Sequence, residues 1–455
     1  MLLKNMNTWR FFADHLGKRY VFFVAITANL MFLYSGISLA WPSPVLIKLN
    51  GTEGNPMGNP ITSEQNDLLG SVFSIGAAVG PAIFIYIIEV FGQKFAMTII
   101  AACFPLFYFI LAFSKNIYLY YVNRISLGIA VGACYSTVVV YIGEVVPAEM
   151  RGTYSSLGVS FLLLGCLISY SVGPYISVFA FNLFIAILSL IYLPLIIILC
   201  PESLYSEMRK NGSKSTLELL KKLRNNDQEY VELEIIEHTI KHEEQSTWLD
   251  IFRSRAGRKA FIISSTLLIF QQLCGVTVVT TYTQQIFEKA DVPIASDVCV
   301  IIFSVFQAIT CFIIPLTSKF VNARTMLKLS LLGSFLSHSV LGLYFYVDFL
   351  RQYHWIPLVS LIFFALFGNC GIGPLPWVYL GELYPSNMKS LGTAISSLLY
   401  WLCQFAVTYL YDKFEEGTSF FIFAVACLFG ICFVQFFVIE TRGKSLQEIQ
   451  KCLEK

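Results

Sequence analysis

Twelve apolar runs, each near the roughly 20 residues a helix needs to cross a bilayer's hydrocarbon core, constrain this chain more than anything else in it. They lie near 20–41, 65–91, 95–114, 118–145, 154–174, 180–200, 260–288, 296–319, 326–347, 355–383, 391–412 and 418–439. One long polar stretch, 201–259, divides them six and six. Backbone groups left unpaired in hydrocarbon are costly, so such runs are expected to be helices that satisfy their own hydrogen bonds. The expected fold class is an all-α membrane protein of twelve transmembrane helices, two six-helix pseudo-repeats. Composition agrees: 56% of the 455 residues are hydrophobic, 13% are charged, and the mean hydropathy is +0.67. A soluble domain has about a quarter charged residues, so a soluble enzyme and a disordered chain are both excluded.

Lysine and arginine set the expected orientation. With both termini cytosolic, the outside loops carry only Lys48, Lys115, Lys289, Arg351 and Lys413, while the inside segments carry fourteen basic residues even without the eleven in 201–259. The positive-inside rule therefore places both termini in the cytosol. The sequon Asn50-Gly51-Thr52 falls in the first outside loop and is a candidate glycosylation site; Asn211-Gly212-Ser213, in the polar stretch, is a chance match. The net charge of +2 leaves no field for nucleic acid. Eleven of the twelve cysteines sit in or at the ends of apolar runs, which suits buried small hydrophobes rather than disulfides or a metal site. Neither a cofactor nor a metal is expected.

The strongest internal signal is a repeat. Tyr141-Ile142-Gly143-Glu144-Val145-Val146-Pro147-Ala148-Glu149-Met150-Arg151 recurs 238 residues later from Tyr379 to Lys389, and the same offset carries Pro201-Glu202-Ser203 onto Ile439-Glu440-Thr441. A six-span unit has been duplicated. Two such halves imply a transporter whose site lies where they meet. The organisation expected is a tail over 1–19, bundles over 20–200 and 260–439, a cytosolic segment over 201–259 and a tail over 440–455.

Charges at the duplicated helix ends need partners. Glu144, Arg151 and Glu202 in the first half, and Glu382, Lys389 and Glu440 in the second, are candidate gating charges that pair on the cytosolic face when the site opens outward. Arg124 joins them as a cation within a span, which costs a few kcal/mol unless paired or solvated. No Asp, Glu or His lies between Tyr20 and Trp41, so the first span carries no coupling proton and facilitated diffusion is favoured over symport.

Neutral polar groups mark the candidate substrate site. Span seven carries Gln271, Gln272, Thr277 and Tyr282; spans eight and eleven add Gln307 and Gln404. Amides and hydroxyls bond a polyol without exposing charge to hydrocarbon. Span ten is broken by Gly368-Asn369-Cys370-Gly371-Ile372-Gly373-Pro374, and Trp377 just after the break offers an apolar plate for a sugar ring. His338 is expected to be held by Ser334 or Ser337.

Together these motifs resemble the sugar porter family of the major facilitator superfamily, and within it the arthropod facilitated trehalose and glucose transporters. The likeness rests on Arg124, Tyr141-x-x-Glu144-x-x-Pro147-x-x-x-Arg151-Gly152, Pro201-Glu202-Ser203, Gln271-Gln272-x-x-Gly275, Gly373-Pro374-x-Pro376-Trp377, Glu382 and Glu440-Thr441-x-Gly443. It implies a midplane site for a hexose or trehalose, a helical domain in 201–259, and a monomer working in the cell membrane. The family's span-five glutamine falls here on Val159, its span-seven asparagine on Thr277, its first tyrosine on Thr281, its span-eight asparagine on Gln307 and its span-ten glutamate on Asn369. A sugar uniporter is the leading expectation; a non-transporting sugar sensor and a proton-coupled symporter are the alternatives.

Overall fold

The computed structural model describes residues 19–52, 54–147, 150–224, 229–241, 248–385, 388–441 and 446–454, with the side chains of 248–250, 311–320, 390 and 446–447 left aside. Residues 1–18 of the tail, Ala148, Glu149, Ser386, Asn387 and Gly443 lie outside the described residues.

Span one is α1 (Tyr20–Ala40) and α2 (Pro42–Asn50), and span two is α3 (Ser63–Ser71) and α4 (Phe73–Phe91). Spans three to six are α5 (Gln93–Phe113), α6 (Ile117–Val145), α7 (Arg151–Val172) and α8 (Val178–Leu199). The polar stretch forms α9 (Leu204–Arg224), α10 (Glu229–Lys241) and α11 (Trp248–Arg253). Span seven is α12 (Arg255–Leu273) and α13 (Val276–Lys289); α14 (Ser296–Phe320) and α15 (Ala323–Tyr346) are spans eight and nine. After the short α16 (Asp348–Arg351), span ten is α17 (Ile356–Cys370) and α18 (Leu375–Leu383). Spans eleven and twelve are α19 (Lys389–Leu410) and α20 (Glu416–Phe436), and α21 (Leu446–Glu454) follows. Eleven of these segments are long and apolar enough to cross a membrane among the described residues; the 25-residue α14 supplies the twelfth.

The helices begin and break for local reasons. Thr62 and Gln65 form a capping box at the start of α3, and Ser254 accepts the Gly257 N–H at the start of α12. Span seven breaks at Gly275, whose φ of 75° is the left-handed region that a residue with a Cβ seldom enters. Span ten breaks over Gly371–Pro374, where the Gly373 N–H turns back to the Gly368 carbonyl at 2.9 Å.

The chain forms two compact units. The first gathers described residues within 1–38, 79–165 and 179–244. Its helices pack closely through small residues: a Cβ on Gly165 would stand 2.0 Å from the Leu33 carbonyl oxygen, and one on Gly36 would stand 1.9 Å from that of Leu162. Small residues at such crossings are how membrane helices gain van der Waals contact. Tyr34 lies between Phe104 and Tyr192 at its centre. The second unit gathers described residues within 39–78, 166–178 and 245–455. In it α15 packs on α17 and α20, α12 on α19, α13 on α2, and α19 on α3.

The duplication is visible in hydrogen bonds, one copy within each unit. Tyr141 donates to the Pro201 carbonyl at 3.0 Å and Tyr379 to that of Ile439 at 3.1 Å. Glu202 accepts the Lys94 backbone N–H at 2.9 Å, and Glu440 accepts that of Arg324 at 3.1 Å. The open carbonyl at Val145 is capped by Arg224 at 2.6 Å, its counterpart at Leu383 by Gln450 at 2.7 Å. Helices α9 and α21 thus serve equivalent helix ends, whose last carbonyls lack partners of their own.

Candidate binding site and gates

Span seven's break brings its amides together with those of span eleven. Gln272, fully buried, donates to the Gln404 carbonyl at 3.3 Å and accepts from the Thr277 hydroxyl at 2.7 Å. The Tyr400 hydroxyl lies near Gln272, and its ring meets Trp377 edge-on with centroids 5.0 Å apart. Gln271 donates to the Gly373 carbonyl at 2.9 Å, tying span seven to the break of span ten, beside which Asn369 stands. Gln272, Thr277 and Gln404 are therefore one hydrogen-bonded group on α12, α13 and α19, with the Tyr400 and Trp377 rings close by, while Gln271 and Asn369 stand at the span-ten break. Three amide atoms on spans seven, eight and ten are buried with no hydrogen-bond partner: Gln271 Oε1, Gln307 Oε1 and Asn369 Nδ2. Gln307 is buried on α14, and no hydrogen bond links it to the group. Below lies a hydroxyl cluster in which Tyr384 bonds Ser396 at 2.9 Å and Ser265 bonds Ser396 at 2.9 Å. Burial raises the pKa of the Tyr384 hydroxyl, keeping it a neutral donor.

Tyr282 sits apart from that group. It is fully buried, stacks on Tyr411 with centroids 5.3 Å and planes 20° apart, and fills the space a side chain at Gly70 would take. Its backbone (φ −114°, ψ 16°) kinks α13. Across that kink the Gln284 N–H donates to the Ser43 hydroxyl at 3.1 Å, and the Thr280 carbonyl accepts from Tyr170 at 2.7 Å. Both groups of one helical rung thus have a partner from another span, as bent helices in hydrocarbon require.

Toward the Asn50 end of α13, a cavity of about 410 Å³ is lined by Asn50, Asn66, Gln285, Lys289 and Asp412 among others. Asn66 accepts from Asn50 at 3.2 Å and from Gln285 at 3.2 Å, and donates to Asp412 at 3.1 Å. The sequence reading passed over this cluster, although Asp67 is an acid placed inside span two. That alone marks a residue of interest, because ionisable groups in spans are rare.

The candidate gating charges lie at the duplicated helix ends, Glu144, Arg151 and Glu202 in one unit and Glu382, Lys389 and Glu440 in the other. Glu144 has Ser203, Arg209, Glu202 and Arg151 around it, and Arg151 donates to the Val146 carbonyl at 3.1 Å. Glu202 pairs with Lys210 at 3.0 Å. In the second unit Glu382, Glu440 and Arg324 surround Tyr379, and Lys389 is exposed at the start of α19. One oxygen of each duplicated acid, Glu144 Oε2 and Glu382 Oε2, is buried without a hydrogen-bond partner. Arg124 is buried and donates to the Ser38 carbonyl at 2.8 Å; Ser38 also bonds Tyr108. His338 departs from expectation: it bonds the Cys274 carbonyl at 3.0 Å, while Ser337 turns to the Ser360 carbonyl. The break at Cys274–Gly275 frees a carbonyl that the serines cannot outbid.

The description Sugar (and other) transporter matches residues 20–453. The chain belongs to that family. Among its relatives, the facilitated trehalose transporter Tret1 of Aedes aegypti is 28% identical over 440 residues, covering 94% of this chain and 54% of the relative. That of Bombyx mori is 29% identical over 432 residues, covering 91% and 83%. This chain thus spans about half the length of the first relative and most of the second. A partially occluded, inward-open structure of the xylose transporter XylE from E. coli matches with a TM-score of 0.80 at 22% identity, over 94% of this chain and 99% of that one. XylE bound to 6-bromo-6-deoxy-D-glucose matches with a TM-score of 0.79, also at 22% identity, over 96% and 99%. At that identity the likeness is one of fold, and it is the twelve-helix fold of the major facilitator superfamily. Sugar transporter family members are carriers, not enzymes.

Proposed function

We propose that this sugar transporter family member carries a hexose or trehalose across the cell membrane by alternating access, as a uniporter and a monomer. The observation that carries the reading is the uncharged cluster of buried Gln271, Gln272, Thr277 and Gln404 with half-buried Asn369, where broken spans seven and ten meet span eleven, with Trp377 nearby. Its unpartnered amide atoms suit a ligand that brings hydroxyls of both donor and acceptor character. Trehalose is favoured among sugars because the Tret1 relatives carry that name. Uniport follows from Arg124, whose span-one contact is a backbone carbonyl in a segment without Asp, Glu or His.

Both termini are cytosolic in this reading, Asn50 faces outside and bears a glycan, and the bundles 20–200 and 260–439 are the moving bodies. The buried free oxygens of Glu144 and Glu382 take up cations when the site opens outward. Uptake of labelled trehalose, glucose and fructose into a transport-null cell tests the whole reading. Saturable uptake of one of them supports it; sugar binding without uptake would make the protein a sensor.

A further inference from the structure

Two pairs of neighbours at the Asn50 end occupy corresponding places in the duplication. Lys413, just past α19, holds Asp67 near the start of α3 at 2.8 Å. Tyr175, just past α7, lies beside Asp297 near the start of α14, whose carboxylate raises the pKa of its hydroxyl. Spans eleven and five are counterparts in the duplication, at the 238-residue offset that relates Lys413 to Tyr175. Spans two and eight are counterparts as well, and 230 residues separate Asp67 from Asp297, as they separate Lys94 from Arg324. Each half thus offers one aspartate near the start of its second span to a donor from the end of the fifth span of the other.

The two pairs differ in strength. The Asp67 side chain is 1% exposed and Lys413 is 41% exposed, so a buried anion depends on a cation at the rim. A buried carboxylate that loses its cation is strongly destabilised. Lys289 adds a third tie, holding the last turn of α13 to Asp412 at 3.1 Å and Glu416 at 3.0 Å. Under these ties lie the Tyr282–Tyr411 stack and the Asn66 cluster.

We infer that Asp67–Lys413 is a latch that shuts the Asn50 end of the carrier, with Lys289 as its brace and the Asp297–Tyr175 neighbours as its weaker counterpart. This rests on the transport reading above. These are positioning residues: they touch no sugar, and act by setting how often α3 and α19, and α7 and α14, part.

The test uses Thr408→Cys as a probe, in full-length protein whose reactive native cysteines are replaced. Thr408 is 1% exposed, and its carbonyl accepts from Tyr282 at 3.5 Å, just under the stack. A membrane-impermeant maleimide is applied to intact cells and to inside-out vesicles. Lys413→Asp should raise labelling from the Asn50 side roughly tenfold, equivalent to ~1.4 kcal/mol. Adding Asp67→Lys should return it to within about twofold of the parent, a rescue that lost packing alone would not produce. Tyr175→Phe should give a smaller rise, additive with that of Lys413→Asp. Labelling unchanged by Lys413→Asp, or not rescued by the swap, overturns the latch. Should Lys413→Asp fail to reach the membrane, Lys413→Gln decides by the same readout. Labelling needs no sugar: a working latch without uptake faults the transport reading alone, and uptake with charge-indifferent labelling faults the latch alone.

Discussion

Gln284 donates its backbone N–H to the Ser43 hydroxyl, 3.1 Å away, on the far side of the Tyr282 kink in α13. In an unbroken helix that N–H would serve the Thr280 carbonyl, which here accepts from Tyr170. The bend is therefore conditional on neighbours from spans one and five. Ser43→Ala and Tyr170→Phe should each remove about 1 kcal/mol of support for the bent form. Together they should raise labelling of Thr408→Cys from the Asn50 side about tenfold or more. Labelling equal to the parent's in the double variant would mean that α13 bends by itself.

Substrate affinity is expected to depend on the Gln272–Gln404 bond. Gln272→Ala and Gln404→Ala each strip a buried amide partner and leave the other exposed to a ligand with nothing to orient it. A lost hydrogen bond of about 1–1.5 kcal/mol corresponds to a roughly five- to tenfold rise in KM for sugar uptake. Maximal velocity, corrected for surface protein, should change less. A fall in velocity at constant KM would place the pair in the moving machinery instead.

Proton independence is open to direct measurement. With Arg124 donating to the Ser38 carbonyl and no acid in Tyr20–Trp41, sugar should equilibrate without accumulating, and a protonophore should leave the initial rate unchanged. Accumulation above the external concentration that collapses with the pH gradient would make the protein a symporter.

At the duplicated helix ends, Glu144→Gln with Glu382→Gln removes both acids. One exposed ion pair contributes about 0–1 kcal/mol, so the single variants should be mild. The double variant should favour the inward-open form and raise labelling of Gln404→Cys from the cytosolic side. If labelling is unaltered in protein that reaches the membrane, these charges only anchor helix ends.

Asn50 is exposed, at the mouth of the cavity, and still has an N–H to give to Asn66 once a glycan occupies its other position. Endoglycosidase treatment should increase gel mobility of the wild-type chain and leave Asn50→Gln unaffected. An Asn50→Gln chain that still shifts would move the glycan elsewhere and reopen the orientation.

The twelve helices were legible in the sequence to within a few residues at most ends, apart from the extension of span one to Asn50, because hydrocarbon leaves a spanning segment little choice but a self-bonded helix. The duplication was legible too, since both copies keep the same residues at the same helix ends, and Tyr141 and Tyr379 make the same bond in each. The break over Gly371–Pro374 followed from a Gly/Pro run, whereas span seven, read as one run over 260–288, breaks at Gly275. Partnerships across the fold were not legible. Apolar spans look alike on the faces that meet lipid and the faces that meet protein, so their periodicity does not say which residues touch. Only the tertiary structure brought Asn66 to Asp412 across 346 positions, seated Tyr282 on Tyr411 and gave His338 the Cys274 carbonyl. The sequence by itself determined what each segment is, through the cost of unpaired backbone in lipid; packing decided which polar groups meet, because a contact between distant residues is a property of two helices at once.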